Sequence, residues 1–248
     1  MSIDVAGTSV EGAVRSVNLA RPQPNPDKRE VGLTGIDKVP TTEPVLVRAP
    51  GTKTDGVGSG LVGDMVGDRL NHGGDAQAVY AYAREDLDHW ESVLGRTLAG
   101  GVFGENLTTT GVDVNAAVIG ERWAIGDELV LAVTVPRIPC GTFRAWIAES
   151  GWLRTFARAA MPGTYLSVVR PGLVRAGDPV TVVHRPAHGV TVAQVFRALT
   201  LEPELLPVHH RVCVGSNLSG PVAFGLPPEP GEASLPDKKA QDRAGELP

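Results

Sequence analysis

Hydrophobic and polar positions alternate along this chain in short runs. Gly12-Ala13-Val14-Arg15-Ser16-Val17-Asn18-Leu19 alternates small or apolar with polar residues, the period of a half-buried strand. Val45 to Ala49, Ala78 to Tyr82, Leu129 to Val135, Tyr165 to Val169 and Asp178 to Val183 also read as strands, and Phe103 to Thr109 enters a strand or turn. Ile119 to Ile125 is a further strand, joined to Leu129 by the turn residues Gly126-Asp127. Helical spacing is rarer. Leu87, Trp90 and Leu94 fall on one face of a helix from Arg84 to Leu94, and Trp146 to Ala159 is a second helix. Thr191 is placed to cap a third, running from Val190 to Leu199.

Many short strands, tight turns and few helices point to a mainly β fold, a closed or nearly closed barrel with a few peripheral helices. The pattern changes at Pro186. Residues 1–186 are expected to form the barrel domain, and residues 187–224 a small C-terminal helical appendage. Residues 225–248, rich in Pro, Gly and charge, are expected to be disordered.

Composition narrows the function classes. The chain has 248 residues, 42% of them hydrophobic, enough for a sizeable core. Thirty glycines, twenty prolines and 5% aromatics agree with a turn-rich chain. A net charge of -5 argues against a general nucleic-acid binder. No apolar run reaches the roughly 20 residues that span a bilayer, and Met1-Ser2-Ile3-Asp4-Val5 does not begin an export signal. The expected location is the cytoplasm, without membrane or nucleic-acid partners. Two cysteines, Cys140 and Cys213, are no disulfide framework, although a single bridge between them stays open.

Three short constellations carry candidate chemistry. Cys140 stands between Pro139 and Gly141, with Arg137 three residues before it and Arg144 four after. Nearby cations favour the thiolate, the form that attacks electrophiles and binds soft metals, but a buried apolar cysteine fits the local residues equally well. Asn71-His72-Gly73-Gly74 offers paired glycines whose amides can form an anion-binding nest, or simply turn the chain before a strand. Glu105-Asn106 places a carboxylate beside a carboxamide, suited to orienting a polar ligand edge or to closing a strand-end turn. Gly56-Val57-Gly58-Ser59-Gly60-Leu61 lacks the strand and helix of a dinucleotide loop. His209-His210 near Cys213 is too sparse for a metal site.

In order and spacing, these residues resemble the MOSC family, named for the C-terminal domain of molybdenum-cofactor sulfurase. The resemblance runs from Gly12 to about Arg185. It rests on Gly63-Asp64, Gly67-Asp68, Asn71-His72-Gly73-Gly74 with Ala78-Val79-Tyr80, Phe103-Gly104-Glu105-Asn106-Leu107, Ile119-Gly120-Glu121 and Pro136-Arg137-Ile138-Pro139-Cys140. Gly189 to Val195 is similar to the start of the three-helix domain of the stand-alone, YiiM-like branch. The resemblance implies a MOSC-type β-barrel holding a molybdenum cofactor of the molybdopterin type, with Cys140 as molybdenum ligand and catalytic residue. It implies cofactor contacts from Asn71, His72, Gly73, Gly74, Glu105, Asn106 and Arg137.

The implied activity is reduction of small N-hydroxylated compounds. Electrons would come from an external electron-donor protein, because no flavin or iron–sulfur motif is visible. The alternatives are a persulfide carrier or transferase acting through Cys140, and a non-catalytic cofactor-binding module. A homodimer stays open. The chain departs from the family at Asp75-Ala76-Gln77, where Pro-Asp-Lys is frequent. With the lysine charge missing at Gln77, an anionic cofactor would be held more weakly or by another cation, such as Arg69 or Arg84.

Overall fold

The computed structural model describes residues 10–205. Cys213, His209-His210, the second half of the expected helical appendage (206–224) and the expected tail lie outside the described residues. Within them the chain runs β1 (Val10–Ala20), β2 (Gln23–Pro24), β3 (Leu33–Thr34), β4 (Lys38–Thr41), β5 (Val45–Val47), β6 (Val79–Ala83), α1 (Arg84–Leu94), β7 (Leu107–Thr110), β8 (Arg122–Ile125), β9 (Leu129–Pro136), α2 (Gly141–Ile147), α3 (Trp152–Ala159), β10 (Thr164–Arg170), β11 (Gly172–Val174), β12 (Pro179–His184) and α4 (Val192–Thr200).

Seven strands close into a barrel in the order β1-β12-β8-β9-β10-β6-β7 and back to β1. The β6–β7 pair is parallel, and the other neighbours are antiparallel. Closure leaves no open sheet edge in the ring. The first strand makes closure possible by its length. Val10 to Ala13 pairs with β12 and Ala13 to Val17 with β7, while Val17 to Ala20 carries β4 outside the ring. The mainly β, barrel-type fold read from the pattern is the fold found.

Alternation sorts the strands onto two cores. In β9, Leu129, Leu131 and Val133 enter the barrel interior with Trp123, Ile125, Leu166 and Val180. In β6 every residue is buried, but on two faces. Val79, Ala81 and Ala83 face the barrel, whereas Tyr80 and Tyr82 join an aromatic layer with Trp90, Phe103, Phe143, Trp152 and Phe156. That layer lies beneath α1, α2 and α3, and its rings meet edge to face, as Trp90 and Trp152 do at 4.8 Å between centroids.

The helix expected from Trp146 to Ala159 is instead two helices. Ala148 at φ 57 ends α2 and Gly151 at φ 70 precedes α3. The left-handed turn between them lets Phe143, Trp152 and Phe156 share one aromatic layer. The helix forecast after Thr191 is present, with a complete capping box between Thr191 and Gln194. It buries Val192 and Val195 against the barrel core and Phe196 against the aromatic layer. Among the described residues, no helix is long and apolar enough to cross a membrane.

Candidate functional site

Strand β9 ends at Pro136, and Arg137-Ile138-Pro139 carries the chain to Cys140, the residue preceding the first turn of α2. The sulfur is half-buried and faces an open cleft of about 750 Å³ that includes its solvent-filled mouth. Burial pushes the thiol up. The hydrogen bond from His72, the charges of Arg137 and His72, and the Phe143 amide outweigh it and bring the thiol down to about 6. Cys140 is therefore largely thiolate at neutral pH.

Arg137 forms part of the same wall. It is 5% exposed, and its guanidinium carbon lies 3.4 Å from the centre of the Phe143 ring, with Tyr80 and Phe156 each at 5.8 Å. Its Nη1 has no hydrogen-bond partner among the described residues. No acidic side chain among the described residues forms an ion pair with it. A buried cation with an orphaned donor is costly, and an anion in the cleft relieves that cost.

The cleft floor is built on Asp64. Its Oδ1 accepts from Lys38 Nζ and from the Ala20 amide, and its Oδ2 accepts from Ser59 Oγ at 2.7 Å and Asn106 Nδ2 at 2.9 Å. Burial opposes the charge, but Lys38, Ser59 and Asn106 hold the carboxyl below the usual range. Lys38 is itself 7% exposed in its side chain, a buried cation on the cleft surface.

The remaining wall is a hairpin held down by polar contacts. Between β2 and β3, Asn25 accepts from Thr142 at 3.3 Å and Asp27 pairs with Arg144 at 3.0 Å, both on α2. Lys28 crosses to Asp68 at 3.0 Å. A Cβ on Gly141 would stand 2.1 Å from Asp27 Oδ2, so a side chain there would have to push the Asp27 carboxylate out of its place.

The seven residues expected to contact a cofactor divide into two groups. His72, Gly73, Asn106 and Arg137 line the cleft with Cys140. Asn71 is exposed and donates to Asp68, and Gly74 is buried without lining the cleft. Glu105 is fully buried behind the wall, where its carboxylate accepts from the Gly101 and Phe103 amides and from Thr108. Asn106 is spent on Asp64, on the Asn18 carbonyl and on the Tyr80 amide. The expected anion nest is also spent. The His72, Gly73 and Gly74 amides donate to the Asp68 carbonyl, the Gln77 side chain and the Gly58 carbonyl.

Gln77 thus braces the glycine turn. Neither Arg69 nor Arg84 replaces the absent lysine, since Arg69 binds the Thr54 and Gly56 carbonyls and Arg84 binds Asp88 and Glu91. Lys38 is the second cation on the cleft. Lys38, Asp64 and Tyr165 were missed as cleft residues in the sequence. Lys38, the first residue of β4, offered no signal beyond its charge.

Comparison with known proteins decides the family. The MOSC domain family matches residues 68–181. YflK of Bacillus subtilis (strain 168) is 30% identical over 180 residues, covering 73% of this chain and 77% of its own. This chain belongs to the MOSC family. YiiM of Escherichia coli (strain K12) is 28% identical over 163 residues, covering 64% of this chain and 72% of that one, which places this MOSC protein with the stand-alone, YiiM-like members. A protein named "Reductase" from Gibberella moniliformis is 28% identical over 144 residues, covering 57% of this chain and 26% of its own length. The crystal structure of YiiM from Geobacillus stearothermophilus superposes with a TM-score of 0.64 at 24% identity, covering 81% of this chain and 90% of that chain, and shares its fold.

Proposed function

We propose that this MOSC protein is a molybdenum-cofactor-dependent reductase of small N-hydroxylated compounds, with Cys140 as the molybdenum ligand. The observation that carries this reading is the pairing of a thiolate with a buried, unpaired guanidinium on one cleft. The donor set fits such a group. A thiolate suits a soft, sulfur-rich metal centre, and Arg137 Nη1 suits an anionic phosphate. No group of three or more His, Cys, Asp or Glu among the described residues forms a metal cage, so a metal here would arrive with ligands of its own.

When bound, the molybdenum cofactor supplies the two-electron, oxygen-removing chemistry that no side chain here provides. Cys140 would hold the metal, and His72 would keep the thiol deprotonated. Arg137 would hold the phosphate and Lys38 would add charge to the floor. Ile36, Met65, Val66 and Phe103 supply an apolar wall that excludes water. Electrons would come from a separate donor protein. The relative named "Reductase" supports a redox role.

The test is metal and pterin analysis of protein made in a cofactor-competent host, beside Cys140→Ala, followed by turnover of an N-hydroxylated compound with a chemical reductant. Equal molybdenum in the two proteins sinks the ligand assignment. One observation favours a second reading, persulfide carriage: the depressed thiol of Cys140 is a competent nucleophile. A mass increase of one sulfur on the Cys140 peptide, without molybdenum, selects it.

A further inference from the structure

Almost every polar side chain on the cleft is already occupied. Asp64, Ser59, Lys38 and Asn106 bind one another, and Asn25 bonds with Thr142. Asp68 takes Lys28, and Gln77 takes the Gly73 amide. Cys140 and His72 bond to each other. Among the described residues two lining side chains remain, Arg137, whose buried Nη1 is orphaned, and the half-buried Tyr165, whose hydroxyl makes no bond to the protein. They differ in kind. Arg137 is a permanent cation and suits an anion. Tyr165 is a neutral hydroxyl and suits a neutral oxygen.

The fold aims Tyr165 deliberately. The β10–β9 register shifts between Thr164 and Leu166, so that Tyr165 sits at an irregularity in the ladder. Such bulges re-aim single side chains and gather near active sites. Its carbonyl accepts from Thr134 Oγ1 at 2.9 Å and from Thr164 Oγ1 at 3.0 Å, which fixes the backbone there. Its ring packs against Tyr80 at 5.1 Å, and Tyr80 is locked by its own bond to the Pro162 carbonyl at 2.7 Å. A rigid ring thus presents a free hydroxyl to the cleft. Burial pushes that phenol up, against the pull of Arg137, to about 12, so it stays a donor at neutral pH.

We propose that Tyr165 is a specificity-determining residue whose hydroxyl donates a hydrogen bond to the nitrogen-bound oxygen of the substrate. The inference rests on the reductase reading above. A ligand that covers this hydroxyl without offering an acceptor strips it of water for no return, and sites built this way discriminate strongly. The consequence is useful in a reductase, because the deoxygenated product loses the contact and leaves.

The experiment is titration calorimetry on cofactor-loaded protein without reductant, so that no turnover occurs. The probes are 2-(hydroxyamino)pyrimidine and 2-aminopyrimidine, neutral heterocycles that differ by one oxygen. Wild type is expected to bind the oxygenated compound roughly ten-fold or more tighter. In Tyr165→Phe that preference is expected to collapse to about two-fold or less, with 2-aminopyrimidine binding unchanged. Pterin content and melting temperature, measured on the same preparations, are expected to match wild type. A preference retained in Tyr165→Phe overturns the assignment, as does a loss of pterin, which would give the hydroxyl to the cofactor. If neither probe binds wild type, the reductase reading fails first and this inference with it.

Discussion

The Arg137 guanidinium carbon lies over the Phe143 ring, 3.4 Å from its centre, and Nη1 is left without a partner among the described residues. The ring face attracts the cation, a contribution of about 2 kcal/mol when desolvated, but it cannot accept the orphaned N–H in the plane of the guanidinium. Arg137→Met keeps the length and removes the charge. Cofactor-free Arg137→Met is expected to unfold at or above the wild-type midpoint in urea, because an unpaired buried charge is gone. Its pterin content after expression is expected to fall on the order of ten-fold or more. Normal pterin content would show that the arginine serves the fold alone.

His72 is expected to control the reactivity of Cys140. In cofactor-free protein, alkylation by iodoacetamide should rise with pH through an inflection near 6. His72→Ala removes the hydrogen bond and moves the inflection towards the ordinary thiol value, so alkylation at pH 7 drops by about ten-fold. The same shift carries a stability consequence. The folded thiol ionises below its unfolded value, so it stabilises the fold above that unfolded value. The contribution is lost as pH falls towards 6. An unchanged alkylation profile in His72→Ala would remove His72 from this role.

Asp64→Asn tests the cleft floor. It leaves Lys38 buried without its counter-ion, a loss of about 3–5 kcal/mol by analogy with other broken buried pairs. Urea denaturation at pH 7 is the measurement. Because the folded carboxyl is held below its ordinary value, its contribution is present above that value and fades in acid. The gap between wild type and Asp64→Asn should therefore narrow as pH falls below 4.

Asp86 shows the opposite sign. In the first turn of α1 it is half-buried, and the desolvation raises its carboxyl from 3.8 to about 6 despite the 2.7 Å bond from Asn115. Below 3.8 the folded and unfolded chains both carry the proton and no cost arises. Between 3.8 and about 6 the unfolded chain ionises first, and stability drops as pH rises. Asp86→Asn, which can still meet Asn115, is expected to raise the melting temperature at pH 7 and to match wild type near pH 3. A lower melting temperature at pH 7 would mean that the charge itself is needed.

The barrel was legible because short runs rich in Val, Leu, Ile and Tyr are separated by turns of Gly-Asp chemistry, as at Gly126-Asp127. Helix α1 matched from Arg84 to Leu94, since its apolar spacing is unambiguous. The short strands β2, β3 and β4 were not legible. Two to four residues give no period, and their pairing is decided by distant segments such as β1. In the site, Cys140, Arg137 and His72 could be named because their residue types carry chemistry wherever they sit. Glu105 and Asn106 carry equally suggestive types, but their partners are Gly101, Phe103, Thr108 and Asp64. Sequence spacing does not distinguish a carboxylate that caps its own turn from one that reaches a ligand. Tyr165 was read only as strand, because the ladder irregularity that aims it depends on the register with β9.

The four groups that converge on Asp64 come from Ala20, Lys38, Ser59 and Asn106, while the thiol and guanidinium arrive from residues 137–140 and the free hydroxyl from residue 165. Barrel closure waits still longer, for β12 to meet β1. Contacts between such distant segments form slowly and late. A chain still emerging from the ribosome therefore has no receptor for a ligand until well over half its length has been synthesised. Loading of any prosthetic group is an event for the finished, folded protein, and the supply of that group, rather than the order of translation, sets how much of the population becomes competent.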